Sequence, residues 1–133
     1  VTAPTRWAID PSLPIYEQIW RTLAGAIARG EIAPGEALPS VRDLAVQLGV
    51  NVNTVQKAYR TLESARLAQS RPGQGTFAQA DAAAIARHRE RQIDESVARL
   101  LEDLETWGVG ADAAADTVAR FVRNGGSTGG TAR

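Results

Sequence analysis

Apolar residues recur every four positions from Ile15 through Ile19 and Leu23 to Ile27, which predicts a helix with one buried stripe. Pro14 can sit in its first turn, where a missing N–H costs nothing, and Gly30 suits its end. Pro34-Gly35 is turn chemistry, and Leu38-Pro39 leads into the next element. Ser40 fits an N-cap, with Asp43 three residues on to favour the positive helix end. Val41, Leu44, Ala45 and Leu48 then form the buried face of a second helix. Gly49 supplies a turn, and Asn51 or Asn53 caps a third helix that runs to about Ala65. Val55, Ala58, Tyr59 and Leu62 lie on its inner face, so Asn53, Thr54, Gln56, Lys57 and Arg60 point wholly or partly outward.

The pattern then changes. Leu67-Ala68-Gln69-Ser70 and Thr76-Phe77-Ala78 predict two short strands around the turn-forming run Arg71-Pro72-Gly73-Gln74-Gly75. Two helices across a tight turn followed by a hairpin describe a winged helix. From Asp81 to Glu105 the chain is rich in Ala, Arg, Glu and Leu, which are good helix formers. Ile93, Val97, Leu100, Leu101, Leu104 and Trp107 make a stripe at helical spacing, and Gly108-Val109-Gly110 breaks it. A last helix from Ala111 to Val122 places Ala115, Val118, Ala119 and Val122 on one side. Gly125-Gly126-Ser127-Thr128-Gly129-Gly130 has the composition of a flexible tail.

The expected fold is mainly α: a winged helix-turn-helix DNA-binding domain followed by a short two-helix C-terminal dimerisation region. The expected boundaries are 1–79 for the winged domain, with an N-terminal arm over 1–13 whose Trp7 and Ile9 pack on it. The helical region follows over 80–124 and the tail over 125–133. A lone amphipathic helix must bury its stripe, and the chain offers it only one short partner helix. Ile93, Val97, Leu100, Leu101, Leu104 and Trp107, with Val118 and Val122, are therefore expected at a homodimer interface, ordinary intramolecular core being the plainer alternative.

Net charge is zero, which argues weakly against nucleic acid, but its distribution argues for it. Between Ser40 and Phe77, Arg42, Lys57, Arg60, Arg66 and Arg71 face only Asp43 and Glu63, a net of +3. Between Asp81 and Trp107, Arg87, Arg89, Arg91 and Arg99 face Asp81, Glu90, Asp94, Glu95, Glu102, Asp103 and Glu105, a net of −3. A basic middle suits a polyanion. With no cysteine and one histidine, thiolate and multi-histidine metal sites are excluded, and no metal or cofactor is expected. Nothing has the spacing of a nucleophile–base pair or a phosphate loop, so no enzyme is expected, and Gly73-Gln74-Gly75 is too short for a nucleotide site. His88, among charges, is expected to be exposed and inert, and Glu95 and Arg99 to form a surface pair. No apolar run approaches the ~20 residues of a membrane span, and Val1-Thr2-Ala3-Pro4 lacks the features of a secretory signal, so the chain is expected in the cytoplasm with no membrane partner.

The outward residues of the third helix have the chemistry of base readout. Asn53 and Gln56 can bond adenine bidentately, as Arg42 can guanine, and Thr54 can bond a phosphate or touch a thymine methyl. Helix capping alone accounts for an Asn at 51 or 53. Lys57, Arg60 and Arg71 suit phosphates, although a solvated face explains any one of them equally well. Gly73 and Gly75 serve as turn formers in either case.

The succession Gly35-Glu36-Ala37-Leu38-Pro39-Ser40-Val41-Arg42-Asp43-Leu44-Ala45, Leu48-Gly49-Val50, Asn53-Thr54-Val55 and Gly73-Gln74-Gly75-Thr76-Phe77 resembles the GntR family of bacterial transcription regulators. Pro14-Ile15-Tyr16-Glu17-Gln18-Ile19 and Asn51 through Tyr59 resemble its YtrA subfamily, whose members have a short helical C-terminal dimerisation region. The resemblance spans about residues 7–78 and extends more weakly to about 123. It implies a homodimeric repressor on double-stranded operator DNA, controlling an operon that includes an ABC transporter. It implies DNA contacts by Arg42 in the Leu-Pro-x-x-Arg motif, by Asn51, Asn53 and Thr54, and by the wing glycines Gly73 and Gly75. Ser40 and Thr76 lie within the same motifs and join the expected DNA-binding set. Fatty-acid-type members carry arginines where this chain has Val52 and Gln56, which implies a different operator. The C-terminal region is expected to be too short to enclose a sizeable pocket, so a small-molecule effector, unidentified by sequence, would bind between subunits or between the helices and the winged domain. A winged helix turned protein-interaction module is one alternative. A DNA-binding domain from a larger pyridoxal-phosphate regulator of the MocR type is another, against which the acidic two-helix ending argues.

Overall fold

A computed structural model describes residues 7–79 and 81–126. The chain divides after Arg89 into two compact units. The elements run α1 (Ile15–Ala28), α2 (Val41–Leu48), α3 (Val52–Ser64), β1 (Ala68–Arg71), β2 (Gly75–Ala78), α4 (Ala82–Thr106) and α5 (Ala111–Arg123). The first two turns of α4 belong to the first unit and the rest of it to the second.

The core of the first unit is built on α3, against which α1, α2 and β1 pack. Ile19, Leu23 and Ile27 of α1 are buried, as are Val55, Ala58, Tyr59 and Leu62 of α3, so both stripes read from sequence face this core. Leu44 and Ala45 of α2 are buried, with Val41 and Leu48 at the edge, and Trp7 and Ile9 pack against the cluster. The remainder of the N-terminal arm, residues 1–6, lies outside the described residues. Pro14 is the residue before α1 rather than part of its first turn.

Local chemistry sets the helix ends. Ser40 Oγ accepts the Asp43 N–H at 3.0 Å and starts α2. At the end of α2, Gly49 has φ 67°, a left-handed conformation that glycine adopts without steric cost, and Val50 N–H bonds the Ala45 carbonyl. The same closure ends α3, with Leu67 N–H on the Leu62 carbonyl, but there Arg66 holds the left-handed conformation at φ 60°.

The hairpin is antiparallel, with Ala68 opposite Ala78 and Arg71 opposite Gly75. Its connection is two residues shorter than expected, one at each end, because Pro72-Gly73 forms a type II turn: Gly73 has φ 75° and Gln74 N–H bonds the Arg71 carbonyl at 2.9 Å. An unforeseen pairing joins residues 35–38 to β2, through Leu38 N–H on the Thr76 carbonyl and Ala78 N–H on the Glu36 carbonyl, both 2.8 Å.

Asp81 Oδ1 accepts the N–H groups of Ala83 and Ala84 and opens α4. His88 corrects an expectation: it is 8% exposed, edge-on to Trp20 with ring centroids 5.5 Å apart. Ala84, Ile85 and His88 share one helical face, and that face packs inward despite the charges around it.

In the second unit, Ala114 is the buried residue of α5, while Ala115, placed by its spacing on one side with Val118, Ala119 and Val122, is exposed. Arg99 donates to Ser96 Oγ at 3.2 Å instead of pairing with Glu95. Gly125 and Gly126 close α5 through N–H bonds to the Val122 and Phe121 carbonyls, so the expected tail falls outside the described residues from position 127 onward. No helix among the described residues is long and apolar enough to cross a membrane.

Candidate nucleic-acid interface

The interface is assembled from three consecutive pieces of the first unit: the entrance to α2, the outer face of α3 and the hairpin. The entrance is held from below. Tyr59 Oη donates to the Pro39 carbonyl at 2.6 Å, with both residues buried. Burial pushes the Tyr59 phenol pKa well above its ordinary value, so it is a proton donor at neutral pH. This bond ties α3 to the residue preceding the Ser40 cap. Sequence reasoning placed Tyr59 inward but did not identify its partner. Two residues beyond the cap, Arg42 is exposed and has no hydrogen-bond or ion-pair partner among the described residues.

Geometry separates the two asparagines. Asn51 Oδ1 accepts the Asn53 N–H at 2.7 Å, so Asn51 caps α3 and its amide NH2 is the polar group left over. Asn53 lies inside the first turn and is exposed. Gln56, Lys57 and Arg60 are exposed on later turns, while Thr54 is half-buried. The Lys57 ammonium lies 4.0 Å from the centre of the Tyr16 ring, a cation–π contact that steers the side chain while leaving its charge intact.

In the hairpin, the Arg71 guanidinium lies over the Phe77 ring, 4.2 Å from its centre. Ser70 and Thr76 hydroxyls are 3.4 Å apart. A Cβ added at Gly73 or Gly75 would meet nothing within 4 Å, so the left-handed backbone, and not crowding inside the chain, calls for glycine there. The turn offers the glycine backbone, the exposed Gln74 amide and the Arg71 cation.

All of the sequence-predicted DNA-binding residues from Ser40 to Thr76 thus belong to one unit, and the predicted dimer residues from Ile93 to Val122 belong to the other. In that second unit Ile93, Val97, Leu100, Trp107, Val118 and Val122 are exposed, and Leu101 and Leu104 are half-buried. Phe121, absent from the sequence-derived set, is also exposed. A cleft of about 600 Å³ lies between α4 and α5, lined by Leu100, Leu104, Thr117, Val118, Phe121, Val122 and Gly126. It is an open groove between apolar side chains, where the sequence led to the expectation that this region is too short to enclose a sizeable pocket. Among the described residues no group of acidic, histidine or cysteine side chains could hold a metal ion.

Comparison with known proteins agrees with this geometry. Residues 15–78 match the family model for bacterial regulatory proteins, gntR family. The chain is 31% identical over 114 residues to the HTH-type transcriptional regulator YhcF of Bacillus subtilis, covering 86% of this chain and 94% of that one. It is 38% identical over 104 residues to the HTH-type transcriptional repressor YtrA of the same organism, covering 76% and 80%. Among solved structures, a GntR family transcriptional regulator from Listeria monocytogenes superposes with a TM-score of 0.72 at 28% identity, covering 84% of this chain and 98% of that one.

Proposed function

Since the chain belongs to the GntR family of bacterial regulatory proteins, a class of DNA-binding transcription regulators, we propose that it is a cytoplasmic repressor that binds a roughly two-fold operator as a homodimer. The observation that carries this reading is the outer face of α3. Its inner residues are spent on the core, while Asn53, Gln56, Lys57 and Arg60 stand exposed beside the unpaired Arg42. A helix that presents amides and cations in this way suits the major groove, with half-sites of the dimer about one helical turn apart.

Within this reading Arg42, Asn53 and Gln56 address base edges, and Asn51 contributes its free amide NH2. Ser40, Thr54 and Thr76 hydroxyls and the Lys57, Arg60 and Arg71 cations hold phosphates and set register. The wing brings the Gly73 and Gly75 backbone to the minor groove. The exposed apolar residues of the second unit, Phe121 among them, support the homodimer, because a second copy would remove them from water. The similarity to a repressor supports repression. The YtrA-like motifs support control of an operon that includes an ABC transporter. A small-molecule effector has a place in the α4–α5 cleft or at the subunit boundary.

A mobility shift with the DNA upstream of the chain's own gene tests the proposal. The full chain should retard that fragment, and Arg42→Ala combined with Asn53→Ala should abolish the shift. If a dimer covers about 6–10 phosphates, affinity should fall roughly 10³–10⁵-fold between about 50 and 200 mM salt. No shift at low salt, or a flat salt response, would count against it.

A further inference from the structure

Val52 opens α3 with an apolar side chain that is 44% exposed and stands outside the hydrophobic cluster of the first unit. The fold does not explain it. A β-branched residue gains nothing in the first turn of a helix, where its χ1 freedom is reduced, and Asn51 already caps the N-terminus. One turn further on, Gln56 is exposed on the same face. Residues four apart have Cβ atoms about 5–6 Å from one another. Successive base pairs rise about 3.4 Å, so the two side chains would address base pairs one or two steps apart.

The two side chains have different and complementary chemistry. Gln56 can bond the N6 and N7 edge of adenine with both ends of its amide. Val52 can bond nothing, and the apolar feature that natural base edges offer in the major groove is the C5-methyl of thymine. We infer that Val52 is a specificity-determining residue that recognises a thymine methyl one or two base pairs from the adenine read by Gln56. This inference rests on α3 entering the major groove, as proposed above. It adds an apolar readout to the polar one and makes each half-site A·T-bearing at the centre of α3.

The experiment separates a failure of this inference from a failure of DNA binding. The full chain first selects a consensus from a random pool of duplexes. Each thymine of one half-site is then replaced singly by uracil, which removes only the methyl and leaves the protein untouched. One substitution, within two steps of an adenine, should weaken binding about three- to fivefold, the worth of one buried methyl. Val52→Ala changes both subunits, so it should weaken binding to the thymine duplex by about the square of that factor, roughly 10- to 25-fold, and should no longer distinguish thymine from uracil at that position. Because Val52 is outside the core and alanine favours helix, the variant should keep its fold, which circular dichroism reports. A consensus in which every uracil duplex binds as well as its thymine parent, or a Val52→Ala chain that retains the difference, would overturn the inference while leaving DNA binding intact. A chain that enriches no sequence overturns the DNA-binding reading and this inference with it.

Discussion

Replacing Tyr59 by Phe tests whether one buried hydrogen bond fixes the entrance to α2. The phenol donates to the Pro39 carbonyl at 2.6 Å, between two buried residues that are 20 positions apart in sequence. Phe keeps the ring, so the packing of α3 loses no methylene and leaves no cavity. What it loses is the bond, and it strands the Pro39 carbonyl where water cannot replace the donor. An orphaned buried acceptor costs about 1–3 kcal/mol. At about 2 kcal/mol, the midpoint of thermal unfolding of a domain this size should drop by roughly 8–16 °C. In urea, the unfolding midpoint followed by circular dichroism should fall while the denaturant slope stays the same, since the surface exposed on unfolding is unchanged.

The pH dependence supplies a second, independent readout. Burial raises the Tyr59 pKa above the ordinary 10, so the unfolded chain releases this proton first as pH rises. The contribution is therefore complete below about pH 10 and is lost as pH climbs from there toward the folded-state pKa, at up to about 1.4 kcal/mol per pH unit. Phe has no proton to release. The stability gap between the two chains should be constant to about pH 9 and should close above about pH 10. Equal urea midpoints at neutral pH would refute the structural role of the bond, and a gap that persists unchanged to about pH 11 would refute the burial argument.

Three further substitutions probe other elements. Arg66→Gly should raise stability by about 0.5–1 kcal/mol, because a left-handed backbone burdens arginine and suits glycine; an unchanged or lower urea midpoint would show that the Arg66 side chain contributes more than its backbone costs. Leu101→Glu and Trp107→Glu should each give monomers in sedimentation. Trp107 is the cleaner probe, being 85% exposed, so its replacement leaves the packing within one chain alone. A dimer mass retained by both variants would mean that this stripe is not the contact between subunits.

The inner faces of α1 and α3 were legible because periodicity reports burial directly: Ile19, Leu23 and Ile27, and Val55, Ala58, Tyr59 and Leu62, are all buried. Capping by Ser40 was legible for the same local reason, since a short polar side chain needs only its own next turn. What escaped were pairings made across the chain. Residues 35–38 join β2 with no alternating pattern to announce it, between a turn and Pro39. The Tyr59 hydroxyl finds a carbonyl that no spacing rule relates to it. His88 was misjudged from the charges flanking it, although its phase with Ala84 and Ile85, four and three residues earlier, carried the correct signal.

The candidate site divides along the same line. Which residues of α3 face outward follows from which face inward, but what each outward residue is free to do depends on its neighbours. Asn51 and Asn53 are interchangeable as symbols, and only the 2.7 Å bond shows that the first is committed and the second free. Lys57 resembles any solvated lysine until Tyr16 is found beneath it. The second unit shows the limit of periodicity most clearly. A stripe reports that a face wants burial, not what buries it. The run Ala113-Ala114-Ala115 fits either face of α5, so spacing alone did not single out Ala114, and Phe121 was passed over. Within one chain Ala114 is buried and Leu101 and Leu104 are half-covered, yet Ile93, Val97, Trp107, Phe121 and Val122 remain in water. Full burial of such side chains is worth about 1.5–3 kcal/mol each. A second copy that covered even a few of them would offset much of the cost of association, which is the physical argument for the proposed dimer.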